Sequence, residues 1–440
     1  MYSNKEIIKV AYPVFLSYLA QNVVNVTDTA FLGRVGEVEL GASALGGVFY
    51  MSLFMIGLGF SIGSQILIAR RNGEKQYHKI GEIFNHGIVF LILLALVMIG
   101  LVQLVSTPLL HQVLKSPKVF EAASAFLDIR IFGLLFIFLN SLFRALYIGI
   151  TQTKVLIWNA VIMASVNVAL AYVLVFGHWG FPRMGIKGAA LASVIAEGTA
   201  LFFMVIHTIR NIDSEKYNLR FSIRFHLDVI RHILSVSIYT MIQSFLAIAT
   251  WFIFFIGIEH LGERSLAVSN IVRSLYMIMM MPILSFGTTA NTLVSNQIGA
   301  GGADLVMKLT WRIIRLAIYV LLPVIAAILI FPKPFIRVYT DNLSLMTDTV
   351  YPLLVLTSSL LLAAISSIFF NAMSGTGSTR VAMWVEVLCI VVYVLYMWWL
   401  IMIQRASVAW CWTTEHMYWI VLLALCYGYM RQGTWKNKMI

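Results

Sequence analysis

Charge is scarce in this sequence. Asp, Glu, Lys and Arg make up 11% of its 440 residues, less than half of the roughly 25% usual in soluble domains. A water-soluble globular protein is thereby excluded. Cysteine is rarer still. Cys389, Cys411 and Cys426 are scattered and odd in number, which gives neither a disulfide framework nor a metal-binding spacing. No Gly-x-x-x-x-Gly-Lys-[Ser/Thr] loop occurs, so ATP has no cradle. No His-Glu-x-x-His helix occurs either, and the nine histidines are spread over loops and helix ends, which argues against an enzyme. A channel would show a repeated carbonyl filter or a charge ring, and the sequence has neither.

What fills the chain is apolar: 60% of residues are hydrophobic and the mean hydropathy is +0.88. The apolar runs last about 20 residues or more, where barrel strands would be alternating segments of about ten, so the spans are helices. Twelve are expected, at about 8–32, 42–69, 83–106, 120–147, 155–177, 186–209, 233–259, 266–294, 309–331, 346–373, 381–403 and 412–430. Small residues such as Gly59 and Gly63 let such helices approach closely.

The net charge of +12 follows from topology, and nucleic acid is not an expected partner. Of the 31 Lys and Arg, Arg130, Arg144 and Arg273 fall within or near spans. With Met1 in the cytoplasm, Arg34, Lys115, Lys118, Arg183, Lys187, Arg264, Lys333, Arg337 and Arg405 lie outside and all the others inside. That bias puts both termini in the cytoplasm of a multi-pass inner-membrane protein. The only sizeable polar stretch, 211–232, reads as a cytoplasmic linker between residues 1–210 and 233–440. It carries an amphipathic piece at Phe221–Ile230 that either meets inner-leaflet lipid or belongs, equally well, to a plain solvated connector.

The two parts repeat each other. Gly36-Glu37-Val38-Glu39-Leu40-Gly41-Ala42-Ser43 aligns with Gly262-Glu263-Arg264-Ser265-Leu266-Ala267-Val268-Ser269. The offset from 36 to 262 also pairs Leu67 with Leu293, Gly73 with Gly299, Gly149 with Gly375, Thr153-Lys154-Val155 with Thr379-Arg380-Val381, and Trp158 with Trp384. Six helices per half is an even number, so both halves share one orientation. The expected fold is an all-α polytopic protein of two pseudo-twofold-related six-helix bundles, a common layout of rocking transporters.

Helix one carries the costliest residue. Gln21, Asn25 and Asp28 sit at i, i+4 and i+7, on one helical face, with Pro13 a few turns earlier to bend the helix. A carboxylate at a span centre costs roughly 2.5–3.5 kcal/mol on insertion scales, so Asp28 is expected to face a protein interior or a cavity. Glu197 is the other candidate acid. At about 1.5 Å per residue, it falls at the depth of Asn167, with Asn25 and Asp28 nearer the outer end. Oxygen ligands of this kind suit a hard cation or a proton relay.

Several short motifs, in order, resemble the multidrug and toxic compound extrusion (MATE) transporters. They are Val26-Thr27-Asp28, Gly36-Glu37-x-x-Leu40-Gly41-Ala42, Ser295-Asn296-Gln297-Ile298-Gly299-Ala300-Gly301-Gly302, and the Gly-x-x-x-Thr-[Lys/Arg] turns at 149–154 and 375–380. The resemblance covers essentially the whole chain. It implies export of small organic compounds, often cationic and amphipathic, by antiport with Na⁺ or H⁺, with no resident cofactor. It further implies a cation site formed by Asp28, Asn167 and a helix-six hydroxyl, here Ser193, so that Na⁺ is expected at Asp28 and Asn167. The second acid of that pattern is absent, since its position is Ala171. Glu197, one turn after Ser193, either compensates for that missing acid or neutralises a nearby basic residue. The acids that another branch places on helices seven and ten are missing here. The alternative is a flippase of lipid-linked saccharides or cell-wall precursors from the same superfamily, whose basic cavity and extra helices this chain lacks.

The remaining charges and rings are expected to be structural. Arg273 and Glu386 are candidates for an ion pair in the second half, and Arg144 for snorkelling to headgroups. Trp398, Trp399, Trp410, Trp412, Tyr418 and Trp419 suggest an interfacial belt. Met277, Met279, Met280 and Met281 suit an adaptable wall or the core. A functional monomer in a lipid bilayer is expected.

Overall fold

A computed structural model describes residues 1–113, 116–219 and 226–437. Among the described residues regular structure is helical, beginning with α1 (Asn4–Val35), α2 (Glu37–Gly73), α3 (Tyr77–Val113), α4 (Pro117–Arg130), α5 (Gly133–Gly149), α6 (Val155–Phe176) and α7 (Ile186–Asn211). The second half supplies α8 (Leu227–Glu259), α9 (Glu263–Gly299), α10 (Val306–Ile330), α11 (Pro332–Arg337), α12 (Leu343–Gly375), α13 (Thr379–Trp398), α14 (Val408–Cys411) and α15 (Thr414–Gln432). Among the described residues ten helices are long and apolar enough to cross a membrane, and α4 with α5, taken as one broken span, makes eleven. The twelfth, α15, has 19 residues, about 28 Å of helix, and carries Glu415, His416 and Arg431. The protein is a multi-pass membrane protein.

The expected single helix at 120–147 is two. The chain bends by 49° between Arg130 and Gly133, at a glycine whose missing Cβ leaves room for charged side chains described below.

By contact the chain forms two compact units. One is Leu16–Phe245, and the other is Met1–Phe15 together with Leu246–Ile440. The boundary therefore passes through α1, just after Pro13, and through α8. In the first unit α2 packs on α3 and α5, α3 on α5, α5 on α7, and α6 on α7. In the second, α9 packs on α10 and α12, α10 on α12, α12 on α15, and α13 on α15. Shifted by the sequence offset, the two sets of pairings coincide.

The backbone repeats in finer detail. Positive φ occurs at Lys75 and Gly301, at Thr151 and Gly377, and at Trp179 and Arg405, each pair separated by the same offset. Close packing repeats too. A Cβ on Gly149 would strike Ile68, and one on Gly375 would strike the Asn291 backbone. Thr151 holds φ 61° where its counterpart is glycine, and a β-branched residue is strained there. Thr151→Gly is expected to stabilise the protein by about 0.5–1 kcal/mol after the entropy of the unfolded chain is deducted. A thermal melt in detergent reads the gain.

Each unit closes on the first segment of a long helix. In the first, Thr240 Oγ1 of α8 donates to the Gly59 carbonyl at 2.6 Å and Ser237 Oγ to the Phe60 carbonyl at 3.3 Å. In the second, Ser285 Oγ of α9 donates to the Ala11 carbonyl of α1 at 2.5 Å. Ile7, Val10 and Ala11 are buried there among the residues of α9, α10 and α12.

The linker is not a plain solvated connector. Tyr217 is buried and packs edge-on to Tyr77, Asn85 Nδ2 donates to the Asn218 carbonyl, and a Cβ on Gly81 would collide with that backbone. Its residues 220–225, with Arg220, Arg224 and the first half of the amphipathic piece, lie outside the described residues, as does Lys115.

Candidate functional site

Three of the expected residues come together in the first unit. Ser193 Oγ on α7 donates to Asp28 Oδ2 on α1 at 3.2 Å, and Asn167 Nδ2 on α6 donates to Ser193 Oγ at 3.0 Å. Small residues make this possible. A Cβ on Gly188 would overlap the Leu174 backbone, so α6 and α7 touch backbone to backbone, and Ala171, Ala189, Ala190 and Ala192 are buried alongside. Two acceptors remain unsatisfied, since Asp28 Oδ1 and Asn167 Oδ1 are buried with no hydrogen-bond partner. Orphaned buried oxygens are rare in native proteins and ask for a missing donor or ion. Two such oxygens around one hydroxyl are a hard-cation donor set.

Of the rest of helix one's polar face, Asn25 is exposed and Gln21 half-buried. Neither side chain hydrogen-bonds to Asp28, Asn167 or Ser193. Pro13 is buried inside α1, in the segment that belongs to the other unit.

Glu197 is held by a cation that the sequence did not single out. Arg130 grips it with both terminal nitrogens, Nη1 to Oε2 at 2.9 Å and Nη2 to Oε1. The Arg130 guanidinium lies 3.7 Å from the centroid of the Tyr50 ring, and Tyr50 OH donates to Glu197 Oε2 at 3.3 Å. Asn140 Nδ2 donates to the Glu197 carbonyl at 2.8 Å. Both Arg130 and Glu197 act electrostatically on Asp28. The available sequence signal was Arg130 inside a span, three residues before a glycine. A methyl on Gly133 would run into Arg130 Nη1, Glu197 Oε2 and Tyr50 OH. Gly133→Ala is therefore expected to cost about 1–3 kcal/mol of stability, visible as a lowered melting temperature.

In the second unit the equivalents of Asp28, Asn167 and Ser193 are Phe254, Tyr393 and Trp419, all buried. Rings fill the place of the oxygens, with Phe254 and Tyr393 centroids 6.2 Å apart. Trp419 Nε1 donates to Tyr276 OH, the equivalent of Tyr50, and Tyr276 OH donates to Glu415 Oε2 at 2.8 Å. Glu415, in the first turn of α15, was missed because it stands at the edge of the expected span.

Three further expectations are corrected here. Glu386 accepts from Tyr418 OH at 2.8 Å while Arg273 lies over the Phe255 ring, so no Arg273–Glu386 pair forms. The last aromatic cluster is only partly a belt: Trp398, Trp399 and Trp410 are exposed, but Trp412 is fully buried against Phe254, and Trp419 is also buried. Arg144 sits over the Tyr18 ring with Nη2 buried rather than extending away. Among the methionines, Met279 and Met281 are core and Met277 is exposed.

A model of the MatE family matches this chain twice, over residues 13–173 and again over 240–399. The chain belongs to the MatE family. The two matched stretches begin and end almost one repeat offset apart, so the family unit is the half-chain. Relatives include the probable multidrug resistance protein NorM of Agrobacterium fabrum, 30% identical over 47% of this chain and 44% of that protein. The probable NorM of Synechocystis is 25% identical over 77% and 73%. The probable multidrug resistance protein YoeA of Bacillus subtilis is 24% identical over 97% and 93%.

Solved MatE-like structures share the fold. A transporter of the MOP superfamily from Pyrococcus furiosus superposes with TM-score 0.90 at 16% identity, covering 99% of this chain and 97% of that one. The outward-facing conformation of a multidrug resistance MATE family transporter gives the same score, identity and coverage. Within this MatE fold the first unit gathers a hydrogen-bonded cluster of side-chain oxygens where the second packs aromatic rings.

Proposed function

We propose that this MatE transporter exports organic, often cationic and amphipathic compounds from the cytoplasm by antiport with Na⁺ or H⁺, with Asp28, Asn167 and Ser193 as the coupling site. The observation that carries the reading is the pair of buried, unsatisfied oxygens, Asp28 Oδ1 and Asn167 Oδ1. A monovalent cation would take both oxygens, and a proton on Asp28 would supply the donor that Asn167 lacks. Either arrival neutralises a membrane-buried carboxylate. Its departure restores the charge, and α1, which carries Asp28, responds first.

The protein works in the inner membrane with both termini cytoplasmic, as a monomer of two six-helix lobes in contact with lipid, and it needs no resident cofactor. Glu197 contributes to the charge of the coupling site. The test is ethidium efflux from proteoliposomes of the full chain under imposed Na⁺ or H⁺ gradients. Efflux that tracks one gradient is expected, and efflux indifferent to both contradicts antiport.

A further inference from the structure

The two halves repeat each other, so a feature confined to one has a local reason. The counterparts of Arg130, Gly133 and Glu197 are Leu356, Ser359 and Leu423. The counterpart helix, α12, runs unbroken from Leu343 to Gly375. Among the described residues the ion pair and the helix break thus occur together in the half that carries Asp28, Asn167 and Ser193, and not in the other.

Glu197 is saturated where it stands. Both carboxylate oxygens are occupied by Arg130, and the Tyr50 hydroxyl is shared between them, while Asp28 keeps an oxygen free. Arg130 from α4 and Glu197 from α7 are the charged groups that act on Asp28, beside the hydrogen-bonding Ser193 and Asn167, and Tyr50 from α2 acts on Arg130 and Glu197 in turn. Asp128, two residues before Arg130, is exposed. With Asp28 and Glu197 each at −1 and Arg130 at +1, the cluster carries a single negative charge. Removing Arg130 would leave two.

We propose that Arg130 is a specificity-determining residue that fixes the charge of the coupling site. By engaging Glu197 it leaves Asp28 as the one carboxylate offered to the exchanged cation. This rests on the assignment of Asp28 as the coupling acid. Arg130 is a positioning residue: it holds the Glu197 carboxylate and adds its own charge to the field at Asp28. Because a buried pair removed together is often tolerated whereas removal of one partner is not, the pair lends itself to a double-mutant cycle.

The experiment measures ethidium efflux by the full chain in proteoliposomes against the concentration of the driving cation, for wild type, Arg130→Gln, Glu197→Gln, the double variant and Asp28→Asn. Arg130→Gln frees a second carboxylate, so the half-saturating cation concentration is expected to fall about tenfold or more. Glu197→Gln leaves Arg130 facing Asp28 alone, and that concentration is expected to rise by about tenfold or coupling to vanish. The double variant returns toward wild type.

A purely structural role would weaken both single variants in the same direction. Same-direction shifts, or a double variant no better than Glu197→Gln, overturn the proposal. If Glu197→Gln does not fold, as size exclusion would show, Arg130→Gln must still tighten the dependence and the double variant must still reverse it. Failure of either overturns the proposal. Loss of coupling in Asp28→Asn beside an unshifted Arg130→Gln refutes Arg130 alone. Full coupling in Asp28→Asn refutes the assignment beneath it.

Discussion

Gradient-driven efflux by Asp28→Asn is expected to fall to the level of protein-free liposomes, while ethidium binding by the purified variant persists. The substitution preserves size and retains an acceptor oxygen for Ser193, whose hydroxyl donates to Asp28 Oδ2. What it removes is the negative charge and the ability to exchange it. An antiporter that cannot change the charge of its coupling group has no means to tie cation movement to conformation. A ligand shifts a conformational equilibrium only through its differential affinity for the two states. Ethidium fluorescence polarisation with the purified variant checks that the fold and drug site survive.

The second large effect is on folding. Gly63→Leu should destabilise the first unit by about 3 kcal/mol or prevent its assembly. A Cβ at Gly63 already collides with Ser237 Oγ, Cα and Cβ, and one at Gly59 with the backbone of Thr240 and Met241. These glycines let α8 donate from Thr240 and Ser237 into the α2 carbonyls. A leucine there separates the helices and strands the hydroxyls in an apolar medium. Gly47 supplies the control: an added methyl there meets nothing, so Gly47→Ala should gain roughly 0.5–1 kcal/mol from helix propensity. Monodisperse yield and melting temperature in detergent separate the two.

Where the sequence speaks clearly, it speaks through periodicity and expense. Long apolar runs have few ways to satisfy their backbone in lipid, so the spans were legible. The offset between halves survived in glycines and turn residues, because Gly149 and Gly375 cannot accept a side chain without moving a neighbouring helix. Asp28 was found because a charged group in a span stands out against its surroundings, whereas Asn167 and Ser193 came from the resemblance to MATE transporters.

Other features depend on tertiary contacts that no local pattern encodes. The break before Gly133 looks like continuous helix in sequence, since Ile131 and Phe132 are as apolar as their neighbours. Glu197 was legible as an acid, but its partner Arg130 lies 67 residues away on another helix. Trp412 looked interfacial because tryptophan near a span end usually is, whereas here it is fully buried against Phe254. Arg273 and Glu386 were paired on charge alone, and each instead found an aromatic partner.

The most direct test of the coupling site is equilibrium binding of the cation itself. Radiolabelled Na⁺ uptake and proton release on ethidium addition should be measured side by side on purified wild type and Asp28→Asn. The account predicts one monovalent cation, Na⁺ or H⁺, per wild-type chain, displaced by ethidium and absent in Asp28→Asn. Undiminished, ethidium-displaceable cation binding by Asp28→Asn would contradict it.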